Sequence, residues 1–321
     1  MSKESKNSES AVAGATSGFI TRFFIQPLDV LKIRFQLQVE PISHSSLSSK
    51  YRSNLHCLSC IVKEEGFISL WKGHVPGQYL SIVYGAVQFW AFEVTTKSIN
   101  QIRPPQGESE KFLVNFNCGA LAGGLATFAS MPLDVIRTRL VGQSEPRTIH
   151  NFRHGFRYIF EKEKVYGFYR GSLPAVLQTL PTAGLHFAFN KLFNSIWTNV
   201  RNSLARHSGK SEPSATSSNI QSFLCGGMAG VSSKIIVYPL DLAKKRLQIQ
   251  GFNHARVGFG LTPKYSGLFN CCIQTIRDES FLGLFKGLSP SLVKAFISTA
   301  LYFYFYEKSL HLLLLYRKQS T

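Results

Sequence analysis

Acidic residues are scarce in this chain: 18 Asp and Glu stand against 36 Lys and Arg, a formal net charge of +18 at pH 7. A surplus of this size indicates either a nucleic-acid binder or a membrane protein that meets anionic lipids and anionic solutes. The basic residues do not gather in one patch but recur at matched positions along the chain. This distribution argues against nucleic acid as a partner.

Motifs for catalysis and for metal binding are also missing. No phosphate-binding glycine loop, nucleotide fingerprint or nucleophile–base arrangement occurs, so the sequence offers no candidate for an enzyme. The six cysteines are scattered, and Cys57 and Cys60 form a single CxxC without a second pair, which argues against zinc. We expect reduced, unreactive thiols, no metal and no cofactor.

The first ten residues, MSKESKNSES, have the features neither of a secretory signal nor of an Arg-rich transit peptide. We therefore expect any organelle address to lie within the folded body.

The chain is not strongly hydrophobic on average. Its mean hydropathy is +0.00, with 44% of residues hydrophobic and 13% aromatic. This balance is typical of amphipathic membrane helices around a water-filled cavity.

The main positive feature is a decapeptide that occurs three times. PLDVLKIRFQ begins at Pro27, PLDVIRTRLV at Pro132 and PLDLAKKRLQ at Pro239, so the prolines lie 105 and then 107 residues apart. Two glycines precede each copy, and an aromatic–basic–glycine motif (WKG, YRG, FKG) with a later proline follows it. We predict three repeats within one integrated domain, at 11–105, 106–210 and 215–321.

Each repeat is predicted to fold as two long helices with a short amphipathic helix between them. The long helices are long enough to span a bilayer, and small residues at every fourth position of the odd ones permit close packing. The proline within each odd helix removes a backbone hydrogen bond and should kink it. The predicted odd helices are 11–38, 112–141 and 219–249, the even ones 74–99, 172–198 and 288–315, and the short ones 54–65, 151–163 and 268–279. Solvated loops are predicted at 100–111 and 199–218.

This layout resembles the mitochondrial carrier family over essentially the whole chain. The triplicated pattern Pro-x-Asp-x-x-Lys/Arg-x-Lys/Arg, with glutamine after it in two copies, is a specific membrane-protein signature. Four segments carry a closer resemblance to one group of these carriers: WKGHVPGQYLSIVYGAVQF, YPLDLAKKRLQ, GFNHARVGFG and GLFKGLSPSLVKAFIST.

The resemblance implies an all-α membrane protein with six transmembrane helices around a central cavity and three short matrix-side helices. It implies a monomeric, non-enzymatic transporter of the inner mitochondrial membrane that moves a phosphorylated anion into the matrix by alternating access, in exchange for a nucleotide. A non-transporting scaffold on the same fold is the alternative from another class.

Ionisable residues within the odd helices are the candidates for a gate, because charge inside a membrane normally faces a partner or a water-filled path. Each repeat has an aspartate two residues after the proline and a cation three residues further on. Three pairs between repeats would close a ring: Asp29 with Arg137, Asp134 with Lys244, and Asp241 with Lys32. Pairing within one helix and simple solvation of the charges at a helix end are the alternatives. The resemblance implies that this ring closes the matrix side, with Gln36 and Gln248 as braces beneath it.

The opposite, cytoplasmic gate departs from the family pattern. The resemblance implies an acid near the outer end of each even helix, with a cation three residues later. Glu93 and Glu307 keep the acid, but Thr96 and Leu310 stand at the cation positions, and the second repeat contributes Lys191. We expect a weak outer ring and a resting cavity that faces the intermembrane space.

Substrate-binding residues are expected where the repeats differ, because a substrate without threefold symmetry needs an asymmetric site. The cations at such positions favour a compact anion such as a diphosphate, with lipid headgroups or a nucleotide as alternatives. The aromatic residues favour a heteroaromatic ring or a thiazolium cation, with helix packing as the alternative. The candidates are Arg22, Lys234, Lys294, Leu80, Tyr84, Gln178, Thr179, Thr182, His186, Ser298 and Tyr302. Among these we expect Lys294 to bind substrate, and the ring cations to serve the gate.

A second kind of anion site is expected at the aromatic–basic–glycine motifs. A glycine that enters a helix after a cation presents free backbone N–H groups to a phosphate. The family resemblance implies that cardiolipin binds at Gly73, Gly171 and Gly287.

Overall fold

The computed structural model describes residues 3–40, 42, 49–102, 107–208, 215–252, 255–256 and 263–320. These residues form nine α-helices and two short 3₁₀ helices, without a strand among them. The α-helices are α1 (Lys3–Leu37), α2 (Asn54–Glu65), α3 (His74–Ile102), α4 (Glu108–Gly142), α5 (Phe152–Phe168), α6 (Ser172–Ser208), α7 (Ala215–Gln248), α8 (Leu268–Glu279) and α9 (Leu288–Ser320). The 3₁₀ helices are Phe67–Trp71 and Phe281–Phe285.

The order long, short, long recurs three times, as the repeats predict. The predicted linker loops are wrong at their ends, since α6 continues to Ser208 and α7 begins at Ala215, while 209–214 lie outside the described residues. The polar stretch RNSLARH after Val200 contains no glycine or proline, so nothing in it stops the helix. Likewise α3 continues to Ile102, and α4 begins with two acidic residues, which suit a helix N-terminus.

The short helices begin at side-chain caps in two repeats. Ser53 accepts a hydrogen bond from the backbone N–H of His56 at 3.3 Å, and Asn151 accepts one from His154 at 2.9 Å. Ser and Asn are favoured there because their side chains satisfy amides that have no partner within the helix. These caps fix where α2 and α5 start.

A residue with positive φ lies at the end of two short helices and inside the third. Gly66 (φ 82°) follows α2 and Ser280 (φ 73°) follows α8, whereas Lys164 (φ 56°) interrupts α5. Side chains other than glycine are strained in this region of backbone space. The same turn is therefore kept in all three repeats, although only one has the residue that favours it.

The repeat prolines lie inside long helices that continue past them: Pro27 in α1, Pro132 in α4 and Pro239 in α7. The chain divides into two compact units. The first comprises Met1–Ile82, Pro132–Arg170 and Lys245–Thr321, and the second comprises Val83–Met131 and Gly171–Lys244. In the first unit α1 packs along α9, and Phe24 stacks on Phe305 with ring centroids 5.6 Å apart.

In the second unit, several of the most buried side chains are small, among them Ala122, Ala126 and Ala229. Small side chains permit the close approach of helix backbones that membrane proteins use. Large apolar side chains point outward in both units; Phe89 is 80% and Phe296 73% exposed. Among the described helices, Glu110–Gly142 has the length and hydropathy of a membrane span.

Candidate gate and substrate site

Asp29 is the acceptor of a buried charge cluster in the first unit. Its carboxylate is 4% exposed and accepts hydrogen bonds from Arg137 (Nη2 to Oδ2, 2.6 Å) and Lys294 (Nζ to Oδ1, 2.5 Å). Arg137 also donates to Oε1 of Gln26 at 3.3 Å. The predicted pair of Asp29 and Arg137 is thus present in the structure.

The bond from Lys294 to Asp29 was not predicted. Lys294 lies on α9, which packs along α1, so the contact depends on tertiary packing rather than on a repeated spacing. It also changes the expected division of roles, because the lysine predicted to bind substrate shares an aspartate with an arginine predicted to serve the gate. A ligand that draws Lys294 away from Asp29 would remove one of the two cations that hold this carboxylate.

Asp134 is held by Lys245 and Gln248. Lys245 Nζ lies 2.7 Å from Asp134 Oδ1, and Gln248 donates to Asp134 Oδ2 at 2.8 Å. Gln248 in turn accepts from Lys245 at 3.0 Å and from Thr138 at 2.7 Å. It therefore bonds to both members of an ion pair, the geometry expected of a brace.

The cation at Asp134 is the neighbour of the one chosen from spacing. Successive residues of a helix point about 100° apart, so Lys244 and Lys245 cannot present the same face. The pairs of Asp134 with Lys244 and of Asp241 with Lys32 stay predictions, as does Gln36 as a second brace.

Arg22 and Arg137 converge on Gly77. A Cβ atom on residue 77 would lie 3.2 Å from Nε of Arg137 and 3.4 Å from Nε of Arg22. Both Nε atoms are buried and lack a hydrogen-bond partner within the described part of the chain. Arg22, Arg137 and Lys294 bring three positive charges to the carboxylate of Asp29, and the other carboxylate that acts on Arg22, Asp134, is itself paired with Lys245. Arg137 is buried and Arg22 and Lys294 are half-buried, so cations in excess here favour a counter-charge, and the cluster suits an anion with two or more negative charges.

The three aromatic candidates each lie against a glycine of an odd helix. In the first unit, a Cβ on Gly14 would be 3.5 Å from the Tyr302 hydroxyl oxygen. In the second unit, corresponding distances of 3.8 Å join Gly123 to the Tyr84 hydroxyl oxygen and Gly230 to the His186 ring. Helix packing, the alternative to substrate stacking, therefore accounts for part of what these rings do.

The other candidates are partly or fully accessible. Leu80 and Ser298 are half-buried in the first unit, and Gln178 and Lys234 are half-buried in the second. Thr179 and Thr182 donate to carbonyls of their own helix, those of Val176 (2.7 Å) and Gln178 (2.5 Å). The main contribution of the structure to the predicted site is therefore the cluster around Asp29.

A threefold set of buried ion pairs was missed from the sequence. Each pairs the second cation of the signature with the glutamate that ends the short-helix segment: Arg34 with Glu65, Arg139 with Glu163, and Arg246 with Glu279. The cation of the aromatic–basic–glycine motif joins each pair: Lys72, Arg170 and Lys286. The signal was present, because the arginine follows the proline by seven residues and the glutamate precedes the glycine by eight in every repeat.

The cysteines are free thiols, and four of the six are buried. Burial raises the pKa of the Cys271 thiol to about 12, and it raises the pKa of Cys57 as well. A protonated, buried thiol is a poor nucleophile. This environment agrees with the expectation of unreactive cysteines.

The sequence matches the mitochondrial carrier protein family three times, over residues 3–102, 108–201 and 215–317. The chain belongs to the mitochondrial carrier family. Curated members similar to it include the mitochondrial thiamine pyrophosphate carrier of Homo sapiens, 45% identical over 297 residues (92% of this chain, 89% of that protein). The protein of the same name from Bos taurus is 43% identical over 305 residues (95% and 92%). Mitochondrial thiamine pyrophosphate carrier 1 of Aspergillus oryzae is 37% identical over 311 residues (94% and 92%).

The resemblance to the mitochondrial carrier family that the repeats indicate is thereby confirmed. The group of carriers that the four quoted segments resemble is that of the thiamine pyrophosphate carriers. Glu93, which is predicted to serve a cytoplasmic gate, makes a contact that the sequence pattern did not predict. Glu93 pairs at 2.6 Å with Lys97, one turn along α3, and both side chains are more than half exposed. Exposed pairs of this kind contribute little stability, so the expectation of a weak outer ring stays a prediction. Lys191 and Glu307 are also exposed.

The glycine of each aromatic–basic–glycine motif has positive φ, at 74° for Gly73, 76° for Gly171 and 82° for Gly287. Each directly precedes an even helix of the carrier. Beside Gly73 lies a cavity of about 730 Å³. Its basic lining residues are Lys72, His74, Arg147, His150 and Arg153. A helix N-terminus with cations around it favours a phosphate group.

Proposed function

We propose that this carrier transports thiamine pyrophosphate across the inner mitochondrial membrane into the matrix, by alternating access and in exchange for a nucleotide. It is a multi-pass membrane protein and not an enzyme. The six long helices cross the bilayer around a central cavity, and α2, α5 and α8 lie on the matrix side. The curated relatives support the substrate by name, and they align with more than nine-tenths of this chain.

The observation that carries the proposal is the cluster of Arg22, Arg137 and Lys294 around Asp29. A diphosphate supplies the two negative charges that the cluster lacks, and its oxygens accept charge-assisted hydrogen bonds from guanidinium and ammonium groups. Binding would compete with Asp29 for Arg137 and Lys294. Substrate therefore loosens the gate at the same residues that recognise it, which links recognition to opening.

Competition for uptake into proteoliposomes tests the substrate. Proteoliposomes that contain the purified carrier are preloaded with a nucleotide and given labelled thiamine pyrophosphate outside. Unlabelled thiamine pyrophosphate, thiamine or ADP is added as competitor. We expect thiamine pyrophosphate to compete best and thiamine, which lacks the diphosphate, to compete worst. Strong competition by ADP with none by thiamine pyrophosphate would identify a carrier of ADP-like or deoxynucleotide anions instead. No uptake of any of these compounds would favour a non-transporting scaffold.

Cardiolipin is the second ligand that we propose, at Gly73, Gly171 and Gly287. The cavity beside Gly73 supports this, since it combines a helix N-terminus with several basic side chains. Adding cardiolipin to detergent-purified carrier should raise its melting temperature, whereas phosphatidylcholine should not. Replacing Gly73 with alanine should reduce that rise, because a Cβ there would lie 3.0 Å from the Val141 side chain and distort the helix entry. An equal rise with both lipids would contradict specific binding.

A further inference from the structure

The stretch GFNHAR occurs once in the sequence, immediately after α7, and neither the gate nor the substrate cluster uses it. Of its residues the structure describes Gly251, Phe252, Ala255 and Arg256, which we call the strap. One backbone bond ties the strap to the residue that follows α7, from Phe252 N to the Ile249 carbonyl (3.1 Å), and another lies within the strap, from Ala255 N to the Phe252 carbonyl (3.2 Å). It is thus a compact continuation of the third repeat.

Arg256 joins the strap to the first repeat. Its Nη2 atom donates to the carbonyl of Leu37, the last residue of α1, at 2.8 Å. Carbonyls at a helix C-terminus have no partner within the helix, and a cation there is also favoured by the helix dipole. Arg256 is only 4% exposed, and burial, followed by the neighbouring charges of Arg246 and Arg34, lowers its pKa to about 10. A side chain that stays charged in such surroundings needs its carbonyl partner.

Two further contacts join the strap to the second repeat. The carbonyl of Ala255 accepts from Ser144 twice, from the backbone N–H at 2.9 Å and from the hydroxyl at 3.1 Å. Ser144 lies two residues beyond the end of α4. Phe252 is fully buried, with the guanidinium of Arg139 5.6 Å from its ring and Tyr158 packed edge-on at 5.9 Å.

The strap therefore bonds to the C-terminal ends of α1 and α4 while it continues from α7. The strap contacts described above are made with residues other than Asp29 and Asp134. A carrier that opens on this side must separate the ends of its odd helices, and that separation breaks the strap contacts. Resting on the proposed alternating-access function, we infer that the strap is a latch that holds α1, α4 and α7 together on the gate side and detaches when that side opens.

A disulfide between the strap and α4 tests the latch directly. The backbone bond places residues 144 and 255 side by side, within the reach of a disulfide. The double variant Ser144→Cys with Ala255→Cys is made in a carrier whose six native cysteines are replaced by serine. Its uptake of thiamine pyrophosphate is measured in proteoliposomes before oxidation, after oxidation and after reduction. We expect oxidation to stop thiamine pyrophosphate uptake and reduction to restore it, with each single-cysteine variant insensitive to oxidant. Full uptake by the oxidised, cross-linked carrier would overturn the latch.

A second test removes the contact of Arg256 and measures hydrogen–deuterium exchange, so it does not depend on transport. Arg256→Ala should increase hydrogen–deuterium exchange around Ser144 and the end of α1 several-fold in substrate-free carrier, and Arg256→Lys should increase it less. Arg157→Ala is the matched control, because Arg157 is an exposed arginine paired with Glu161 on the surface of α5. Exchange equal to wild type in Arg256→Ala would contradict the inference even if the substrate assignment failed. Absence of uptake in every unoxidised carrier, wild type included, would count against the proposed function instead.

Discussion

At the scale of single residues, Lys294 is where the structure adds most to the sequence. It is expected from its asymmetric position to bind substrate, and in the structure it bonds to Asp29, which is predicted to serve the gate. Spacing could identify the pair of Asp29 and Arg137 because that pair follows from a motif repeated three times. It could not identify the contact of Lys294, which depends on how α9 packs along α1.

Lys294→Ala should abolish uptake of thiamine pyrophosphate and the rise in melting temperature that this ligand causes. A lost charge-assisted hydrogen bond costs about 1.5–3 kcal/mol, roughly a tenfold to hundredfold loss of affinity. Adding Asp29→Ala should not restore binding, because the phosphate ligand is still missing. Lys162→Ala, which removes an exposed lysine on α5, is the control and should keep the full shift. A full ligand-induced shift in Lys294→Ala would show that this lysine does not contact substrate.

The positive φ angles of Lys164 in α5 and of Ser280 after α8 give a prediction about backbone strain. Lys164→Gly and Ser280→Gly should each stabilise the carrier by up to about 1 kcal/mol, because glycine adopts positive φ without strain although it adds freedom to the unfolded chain. Gly66→Ala should destabilise it for the converse reason. Gly85→Ala is the control, since Gly85 lies inside α3 with open space around it. Melting temperatures are measured without ligand for all four variants. Values below that of the wild type for Lys164→Gly and Ser280→Gly would contradict the prediction.

At the scale of elements, the positions of the helices were largely predictable and some of their ends were not. Repeated prolines and glycines mark the same helix in every copy, so one pattern was read three times. The ends of α6 and α7 were missed because a polar segment was interpreted as a loop, whereas Arg201 to His207 contains only residues that a helix tolerates. Polarity indicates exposure to solvent, not the absence of a helix.

The buried cluster of Arg34, Glu65 and Lys72 links α1, α2 and the entry to α3. Burial alone would raise the pKa of Glu65, but Arg34 and Lys72 lower it below its usual value. A carboxyl with a lowered folded pKa contributes stability that is present above its unfolded pKa and lost as the pH falls through the folded value. Glu65→Gln should therefore destabilise the carrier at pH 7, by about 3–5 kcal/mol for a broken buried pair.

This loss should shrink as the pH falls below about 4, where Glu65 of the unfolded wild-type chain begins to be protonated, and it should disappear once the pH is below the lowered pKa of the folded protein. Melting temperatures of both proteins at pH 7 and at decreasing pH provide the comparison. Glu161→Gln is the matched control, because its pair with Arg157 is exposed. A difference between Glu65→Gln and wild type that stayed constant with pH would mean that the charge of Glu65 is not what stabilises this cluster.

At the scale of the whole molecule, symmetry determined what the sequence could predict. Residues that serve every repeat recur at fixed offsets, and this predicted the helices and the contact between Asp29 and Arg137, whereas the role of Gln248 as a brace stays a prediction. Features that occur once, such as Lys294 at Asp29 and the strap after α7, have no second copy for comparison. A transporter of an asymmetric anion needs such singular features, so its specificity is the part that internal repetition predicts least.

The gate itself can be tested by exchanging its charges between α1 and α4. Arg137→Asp alone places two carboxylates together and should lower the melting temperature strongly. The double variant Asp29→Arg with Arg137→Asp restores an ion pair, but its new arginine would face Lys294, which in the wild type bonds to Asp29. We therefore expect the swap to recover only part of the lost stability, and the further change Lys294→Gln to recover more, because it removes the repulsion between the two cations. Stability is measured without substrate, so that loss of binding does not enter. A swap that alone equals the wild type would show that Lys294 is not coupled to the gate, and a swap no better than Arg137→Asp would show that the Asp29–Arg137 pair does not hold α1 and α4 together.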